Sequence, residues 1–116
     1  MDSLNQPREG WGETGNHRDA TFHVQILAQG ASDANKPRLV IETAASPAGP
    51  WYELNEYLVS ATPPPPPAND AFGASVGGAA GTASCLERYF RWRIDVTDLA
   101  QSDTWFLCFG ICVTLR

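Results

Sequence analysis

The sequence predicts an all-β protein: an antiparallel, jelly-roll-like β-sandwich with an extended N-terminal arm and a long loop rich in Pro, Gly and Ala. Several segments alternate apolar and polar residues, as a strand does when only one of its faces is buried. Ten glycines and nine prolines among 116 residues indicate many turns. No segment of useful length repeats its apolar residues with a helical period, so the packed layers are expected to be sheets.

The clearest strand signal lies in residues 86–97. Large apolar residues occupy all but one of its even positions, and polar or amphipathic residues occupy the odd ones. This alternation predicts that the even positions, including Trp92, face the core. A second apolar segment, 104–115, follows after the short connection 98–103. We therefore expect the two segments to pair as the central hairpin of the protein.

Three further strands are predicted in the first half of the chain. Residues 21–29 alternate apolar and polar side chains, and residues 38–44 are nearly all strand-forming types at their centre. The composition of residues 46–50 is typical of a tight turn. Residues 51–60 follow this turn and have mixed character on both faces, which predicts a strand near the edge of a sheet.

The segment 104–115 is apolar on both of its faces. A strand with one wet face would not have this composition, so we expect it to be covered on both sides or to lie at a subunit interface. Within it, Gly110 predicts a bulge or the close approach of another backbone.

The three cysteines are expected to be reduced thiols, buried as small apolar groups. Their number is odd, and no secretory signal is recognisable. Cys108 and Cys112 would lie ~13 Å apart along one strand face, which is too far for a disulfide. Cys85 could meet either of them across the predicted hairpin.

Two segments flank or interrupt the predicted domain 21–116. The arm, residues 1–20, is polar with Trp11 as its largest apolar group, and is either a disordered tail or an anchor on a neighbouring subunit. The loop 62–84 is either mobile or ordered against a partner. The candidate interface residues are Trp11, Pro63, Pro64, Pro65, Pro66, Pro67, Phe72, Arg91 and Arg93.

The sequence contains no recognisable catalytic, cofactor-binding or metal-binding motif. A net charge of -5 with a single lysine argues against a general nucleic-acid binder or a polybasic membrane surface. His17 and His23 are not at zinc-ligand spacing with any cysteine. There is no nucleophile elbow, phosphate loop or dinucleotide fingerprint. We therefore expect a protein that is not an enzyme and needs no cofactor.

The charged residues near the strands have a structural interpretation. On a regular strand the odd spacing of Glu53 and Glu56 would place them on opposite faces, as surface charges. Arg88, Arg91 and Arg93 could bind an anion, and Arg91 and Arg93 share a face with Asp95. An ion-pair and stacking network across neighbouring strands is the favoured interpretation of these arginines.

Residues 42–54, residues 88–96 and the closing Phe109-Gly110-Ile111 carry a resemblance. The order strand, Ser-Pro-x-Gly-x-Trp, strand, Arg-Tyr-Phe-Arg-Trp resembles small β-sandwich modules of tailed-phage virion proteins and their domesticated relatives. The same residues also look like discoidin-type sugar-binding sandwiches.

The first resemblance implies a structural protein that joins copies of itself or other subunits in a capsid, decoration or tail. The second implies a carbohydrate-binding module, for which Trp51, Tyr52 and Tyr57 are the candidate aromatic platforms. The N-terminal residues lack the apolar core of a secretory signal, so we expect synthesis in a cytoplasm and incorporation into a virion or similar particle.

Overall fold

The computed structural model is a sandwich of two β-sheets, which confirms the predicted all-β class. It describes residues 3–32, 37–59, 68–76, 85–100 and 102–116. One 3-10 turn, Arg8–Gly10, accompanies the strands. The strands are β1 (Leu4–Asn5), β2 (Gly12–Glu13), β3 (Asp19–Ala31), β4 (Arg38–Ala44), β5 (Tyr52–Leu58), β6 (Ala68–Val76), β7 (Cys85–Leu86), β8 (Tyr89–Asp95) and β9 (Trp105–Leu115).

Sheet A has the order β1-β8-β4-β5, with β2 also paired to β8, and sheet B has the order β7-β6-β3-β9. Every pairing is antiparallel except the short one between β6 and β7. Among the six long strands, only β4 and β5 form a hairpin within one sheet. The other links cross between the sheets, so most strands that follow each other in the chain face each other instead of pairing.

The predicted central hairpin is wrong, because β8 and β9 lie in different sheets. β8 pairs with β4, and β9 pairs with β3. The connection between them carries Val96 and Leu99, which are buried in the core, and the amide of Leu99 bonds the carbonyl of Val96. Burying these two side chains turns the chain inward and across to the opposite sheet. Asp95 supports the turn by accepting hydrogen bonds from the backbone and hydroxyl of Thr97.

The core lies between the sheets and centres on Phe22 of β3, which is fully buried. Its ring stacks on Phe72 at 4.9 Å and meets Phe90 edge-on at 5.2 Å. Trp92 is half-buried and meets Phe109 of the other sheet edge-on at 5.4 Å. The inward direction of Phe90 and Trp92 agrees with the alternation predicted for residues 86–97.

The predicted turn and edge strand are both present. Residues 46–49 form a turn in which the amide of Gly49 bonds the carbonyl of Ser46 at 3.0 Å. The Ser46 hydroxyl donates to the Gly49 carbonyl, and the following bond to Pro50 is cis. The next strand, β5, pairs only with β4 among the described residues and so lies at an edge of sheet A.

The predicted loop 62–84 contains a strand that the sequence did not reveal. β6 pairs with β3 from Asp19↔Ser75 to Ile26↔Ala68. Its composition of Ala, Gly, Asn and Asp disfavours strands, and pairing with the long neighbour β3 outweighs that local preference. The proline run, residues 63–67, lies outside the described residues.

The N-terminal arm packs on the protein's own sheet A instead of forming a tail. β1 and β2 both pair with β8. Between them Gln6 bonds Trp92 twice, through its backbone N–H and its side-chain oxygen, each at 3.1 Å. Thr14 continues the pairing through its amide, which donates to the carbonyl of Arg88 at 2.8 Å. The arm therefore closes one edge of sheet A.

Candidate interaction surfaces

The outer surface of sheet A carries a network of ion pairs, which we call the charged face. Its centre is Glu42 of β4, whose side chain is almost fully buried. Arg91 donates to one of its carboxylate oxygens at 2.6 Å and Arg93 to the other at 3.1 Å. Register explains the pairing, since Glu42 lies directly opposite Arg91. A carboxylate at this depth needs such partners to offset the loss of its hydration.

The charged face extends toward β5 through Arg38, which forms ion pairs with Glu53, Glu56 and Asp95. The expectation that Glu53 and Glu56 lie on opposite faces is wrong. The pairing of β4 with β5 shifts register after Ile41, where the partner changes from Asn55 to Glu53. This irregularity brings both glutamates to the same side of the sheet.

Asp95 links the network to the turn after β8. Burial by itself would raise the pKa of Asp95. Hydrogen bonds from the hydroxyl and backbone of Thr97, and then from Arg38 and Arg93, outweigh burial and hold this pKa well below its usual value. Asp95 is therefore ionised in the folded protein at neutral pH.

Two tryptophans enclose Arg91 at the margin of the charged face. The guanidinium carbon of Arg91 lies 3.8 Å from the ring centroid of Trp51 and 5.1 Å from that of Trp11. The two rings meet edge-on at 4.8 Å. The indole N–H of Trp11 donates to the carbonyl of Gln6 at 2.8 Å. These contacts confirm the predicted ion-pair and stacking network, with Trp11 held by its own domain.

The outer surface of sheet B has the opposite character, and we call it the neutral face. Its residues lie on β3 and β9 and share one side of the sheet; Leu27 lies at the register shift after Ile26, where its side chain is exposed. Leu27 is 47% exposed and Phe106 is 57% exposed. None of its residues is an Asp, Glu, Lys or Arg, and Asp19 and Arg116 lie only at one end. The neutral face comprises Thr21, His23, Gln25, Leu27, Phe106, Cys108, Cys112 and Thr114.

The cysteines differ from their prediction as buried thiols. Cys108 and Cys112 are free and exposed on the neutral face, because even positions of β9 point outward. Cys85 lies in β7, which is separated from β9 by the two strands β6 and β3. At ~4.8 Å per strand this backbone is too distant for a disulfide with either of them. The predicted hairpin contact of Cys85 is thus wrong.

The structure brings three of the sequence-predicted interface residues together, namely Trp11, Arg91 and Arg93 on the charged face. Phe72 lies in sheet B with its ring on Phe22. The prolines Pro63 to Pro67 lie outside the described residues. Whether any of these residues contacts a partner stays a prediction.

Two residues that hydrogen-bond to β8, Gln6 and Glu42, were not predicted from the sequence. Nothing in the sequence marks Gln6 as a contact of the sheet, because a glutamine in a polar arm is ordinary. Glu42 could have been recognised, because a single carboxylate within a run of strand-forming apolar residues needs a cation beside it when it is buried.

The three aromatic residues proposed for sugar binding do not form one platform. Trp51 packs against Arg91 and Trp11. Tyr57 packs against the core, and its hydroxyl donates to Gln29 at 2.9 Å. Tyr52 is exposed at the edge of sheet A, apart from the other two aromatic residues.

No protein-family model matches the chain, and neither the curated proteins nor the solved structures include a significant match. The described residues contain no group of three His, Cys, Asp or Glu side chains that could hold a metal ion. Nor do those residues include a helix long and apolar enough to cross a membrane.

Proposed function

We propose that this protein is a non-enzymatic structural subunit that assembles with copies of itself and with other subunits of a larger particle. The virion of a phage, or a particle related to one, is the setting that the sequence resemblance favours. The neutral face of sheet B is the surface through which it assembles.

One observation carries the proposal: the charged groups on sheet A pair within the chain, and a broad exposed area of sheet B has no charge. Interface centres are depleted in charged residues and enriched in aromatic ones. Leu27 and Phe106 supply exposed apolar area on the neutral face. Burying such a surface against another subunit removes apolar area from water without removing the water that solvates an ion.

Assembly is favoured over carbohydrate binding by the positions of the aromatic side chains. A sugar ring needs an exposed aromatic face with polar groups beside it. Trp51 has its ring in contact with Arg91 and Trp11, and Tyr57 packs on the core. These two rings are used within the fold.

The test compares two leucines of similar exposure on opposite sheets. Leu27 on β3 is 47% exposed and Leu58 on β5 is 41% exposed. Leu27→Arg places a charge in the neutral face and is expected to lower the mass of the assembled species by sedimentation. Leu58→Arg is the matched control and is expected to leave that mass unchanged.

Two results would contradict the proposal. In one, the unsubstituted chain sediments as a monomer at every concentration and in the presence of candidate particles. In the other, both arginine variants lower the mass equally, so that the neutral face has no special role. Thermal unfolding of each variant confirms that the domain is intact.

A further inference from the structure

The free edge of β9 is an unusual feature of sheet B. Among the described residues β9 pairs with β3 alone, over 11 residues, and no strand lies on its other side. The other edges of the two sheets differ from β9 in features that discourage pairing with another chain. β5 carries Glu53 and Glu56, β6 carries Asp70 and is covered by the two-residue β7 only at Ser75 and Val76, and β8 is closed by the arm. Short edge strands and edge charges are the usual protection against pairing with another chain.

The hydrogen bonds define which backbone groups face this edge. Arg116 exchanges both of its backbone hydrogen bonds with Asp19, and the carbonyl of Thr104 accepts from Ser32. Even positions of β9 therefore direct their N–H and C=O groups toward β3. The odd positions, from Trp105 to Leu115, direct theirs away from the sheet. Their side chains face inward and are only partly buried against the core.

The sequence of β9 is complementary to itself in the antiparallel direction. An axis at Gly110, the middle residue, places each odd residue opposite another large apolar residue of a second copy. No residue of β9 is charged, so two identical strands do not repel each other. The inward pairs between copies are Trp105 with Leu115, Leu107 with Val113, and Phe109 with Ile111.

The same register makes the ends of the strand electrostatically complementary. Asp103 precedes β9 and Arg116 follows it. Antiparallel pairing sets Arg116 of each copy opposite Thr104 of the other, one residue from Asp103. Opposite charges close together at both ends favour this direction and register over a slipped alternative.

From these observations we infer that two copies of the chain join edge to edge through β9, in an antiparallel pair about a two-fold axis at Gly110. Sheet B then continues across both copies. The inference rests on the proposed function and names the contact between copies of this protein. The dimer is closed, because a two-fold contact uses the same strand, β9, of both copies.

The antiparallel register about Gly110 predicts which cysteines of the two copies lie opposite each other. Cys108 of one copy lies opposite Cys112 of the other, twice per dimer. Even positions form the non-hydrogen-bonded pairs at the new edge, where Cα atoms are about 4.5 Å apart. That separation is within the range of a disulfide. Within one copy the two thiols are ~13 Å apart, so an internal bridge is not possible in the folded strand.

Oxidation with diamide tests this register in a Cys85→Ser background. Each bridge forms when two thiols give two electrons and two protons to diamide. The parent is expected to give a covalent dimer, whereas Cys108→Ser and Cys112→Ser should each fail to do so. Mixing the two single variants should restore one cross-link, since each supplies the thiol that the other lacks.

A second measurement does not depend on the serine background. The oxidised natural sequence is digested with chymotrypsin, which cleaves after Phe109, and mass spectrometry should find Cys108 joined to Cys112. Cross-links dominated by Cys108 to Cys108, or by Cys112 to Cys112, would overturn the register. Absence of any covalent dimer under conditions that oxidise exposed thiols would overturn the edge contact.

Substitutions that introduce a charge distinguish the edge of β9 from the neutral face as the contact between copies. A Cβ on Gly110 meets nothing within 4 Å, so Gly110→Lys fits the single domain. In the dimer it sets two lysines directly opposite each other and should abolish pairing. Gly73→Lys is the control, because Gly73 is exposed on the same side of sheet B but in β6, away from the edge.

The outcomes distinguish this inference from the proposed function. Dimers that survive Leu27→Arg but not Gly110→Lys support the β9 contact. Association that survives Gly110→Lys but not Leu27→Arg refutes the β9 contact and leaves the neutral face as the assembly surface. A protein that is monomeric in every form refutes both.

Discussion

The two outer faces of the sandwich differ in how their polar groups are satisfied. On the charged face, Glu42 binds Arg91 and Arg93, and the N-terminal arm lies beside them with Trp11 against Arg91. On the neutral face, exposed side chains such as Leu27 and Phe106 lie beside the free edge of β9. Sheet A has one edge covered by the chain's own arm, whereas sheet B leaves neutral side chains and the backbone groups of β9 exposed among the described residues.

The difference indicates where substitutions affect the fold and where they affect assembly. Charges removed from water must keep their partners, so changes on the charged face act on the free energy of unfolding. Exposed neutral side chains contribute little to that free energy, so under the proposed function changes there are expected to act on association instead. The following predictions test this division from the largest expected effect to the smallest.

Glu42→Gln is expected to have the largest effect, lowering the free energy of unfolding by about 3 kcal/mol, because it removes the buried carboxylate that Arg91 and Arg93 share, while Arg93 keeps its ion pairs with Glu53 and Asp95. Urea unfolding at pH 7 measures the loss. Glu56→Gln is the control, since the Glu56 side chain is 42% exposed and its ion pair with Arg38 should be worth about 1 kcal/mol or less. Equal losses in the two variants would show that Glu42 is not the centre of the charged face.

Asp95→Asn is expected to cost about 1.5–3 kcal/mol at neutral pH, through weakened hydrogen bonds to charged groups. The pKa of Asp95 is lower in the folded protein than its unfolded value of about 3.9. Its ionised form therefore stabilises the fold above pH ~4, and this contribution is lost as the pH falls through that value toward the folded pKa.

The pH dependence provides the measurement for Asp95. Unfolding free energies between pH 3 and pH 7 should fall less steeply with acid in Asp95→Asn than in the natural sequence. Asp98→Asn, at an exposed neighbouring position, is the control and should keep the natural slope. An unchanged slope in Asp95→Asn would mean that other carboxylates account for the acid sensitivity.

Gly12→Ala is expected to cost about 1–3 kcal/mol by overpacking. A Cβ on Gly12 would lie 2.0 Å from the ring of Phe90, and that ring is confined by Phe22. Faster amide hydrogen exchange in β1 and β2 should show that the arm is loosened first. Gly110→Ala is the control, because a Cβ there meets nothing within 4 Å; a comparable loss in that variant would argue against overpacking.

Cys112→Ser is expected to have the smallest effect, within about 0.5 kcal/mol, because the thiol is exposed on the neutral face. The measurement is urea unfolding of dilute protein with reductant, so that association does not contribute. A loss typical of a buried cysteine would place this side of β9 in a core and contradict the division between the two faces.

Several parts of the charged face were predictable from local sequence. The odd positions of residues 86–97 carry Arg91, Arg93 and Asp95, and alternation alone places them on one face. Their carboxylate partner Glu42 is on another strand, so its identity depended on register. Gln6 and the stacking of Trp11 depended on where the arm docks, which no short-range pattern specifies.

The sequence by itself determined that the chain forms a sandwich, that Phe90 and Trp92 face inward, and that a turn precedes an edge strand at residue 52. Each of these follows from a period of two or from turn-forming residues, which are local properties. Only the tertiary structure decided that β8 and β9 lie in different sheets, that β6 is a strand, and that Glu53 and Glu56 share a face. Strand pairing and register depend on contacts between residues far apart in the chain, and neighbouring strands can therefore outweigh local preference.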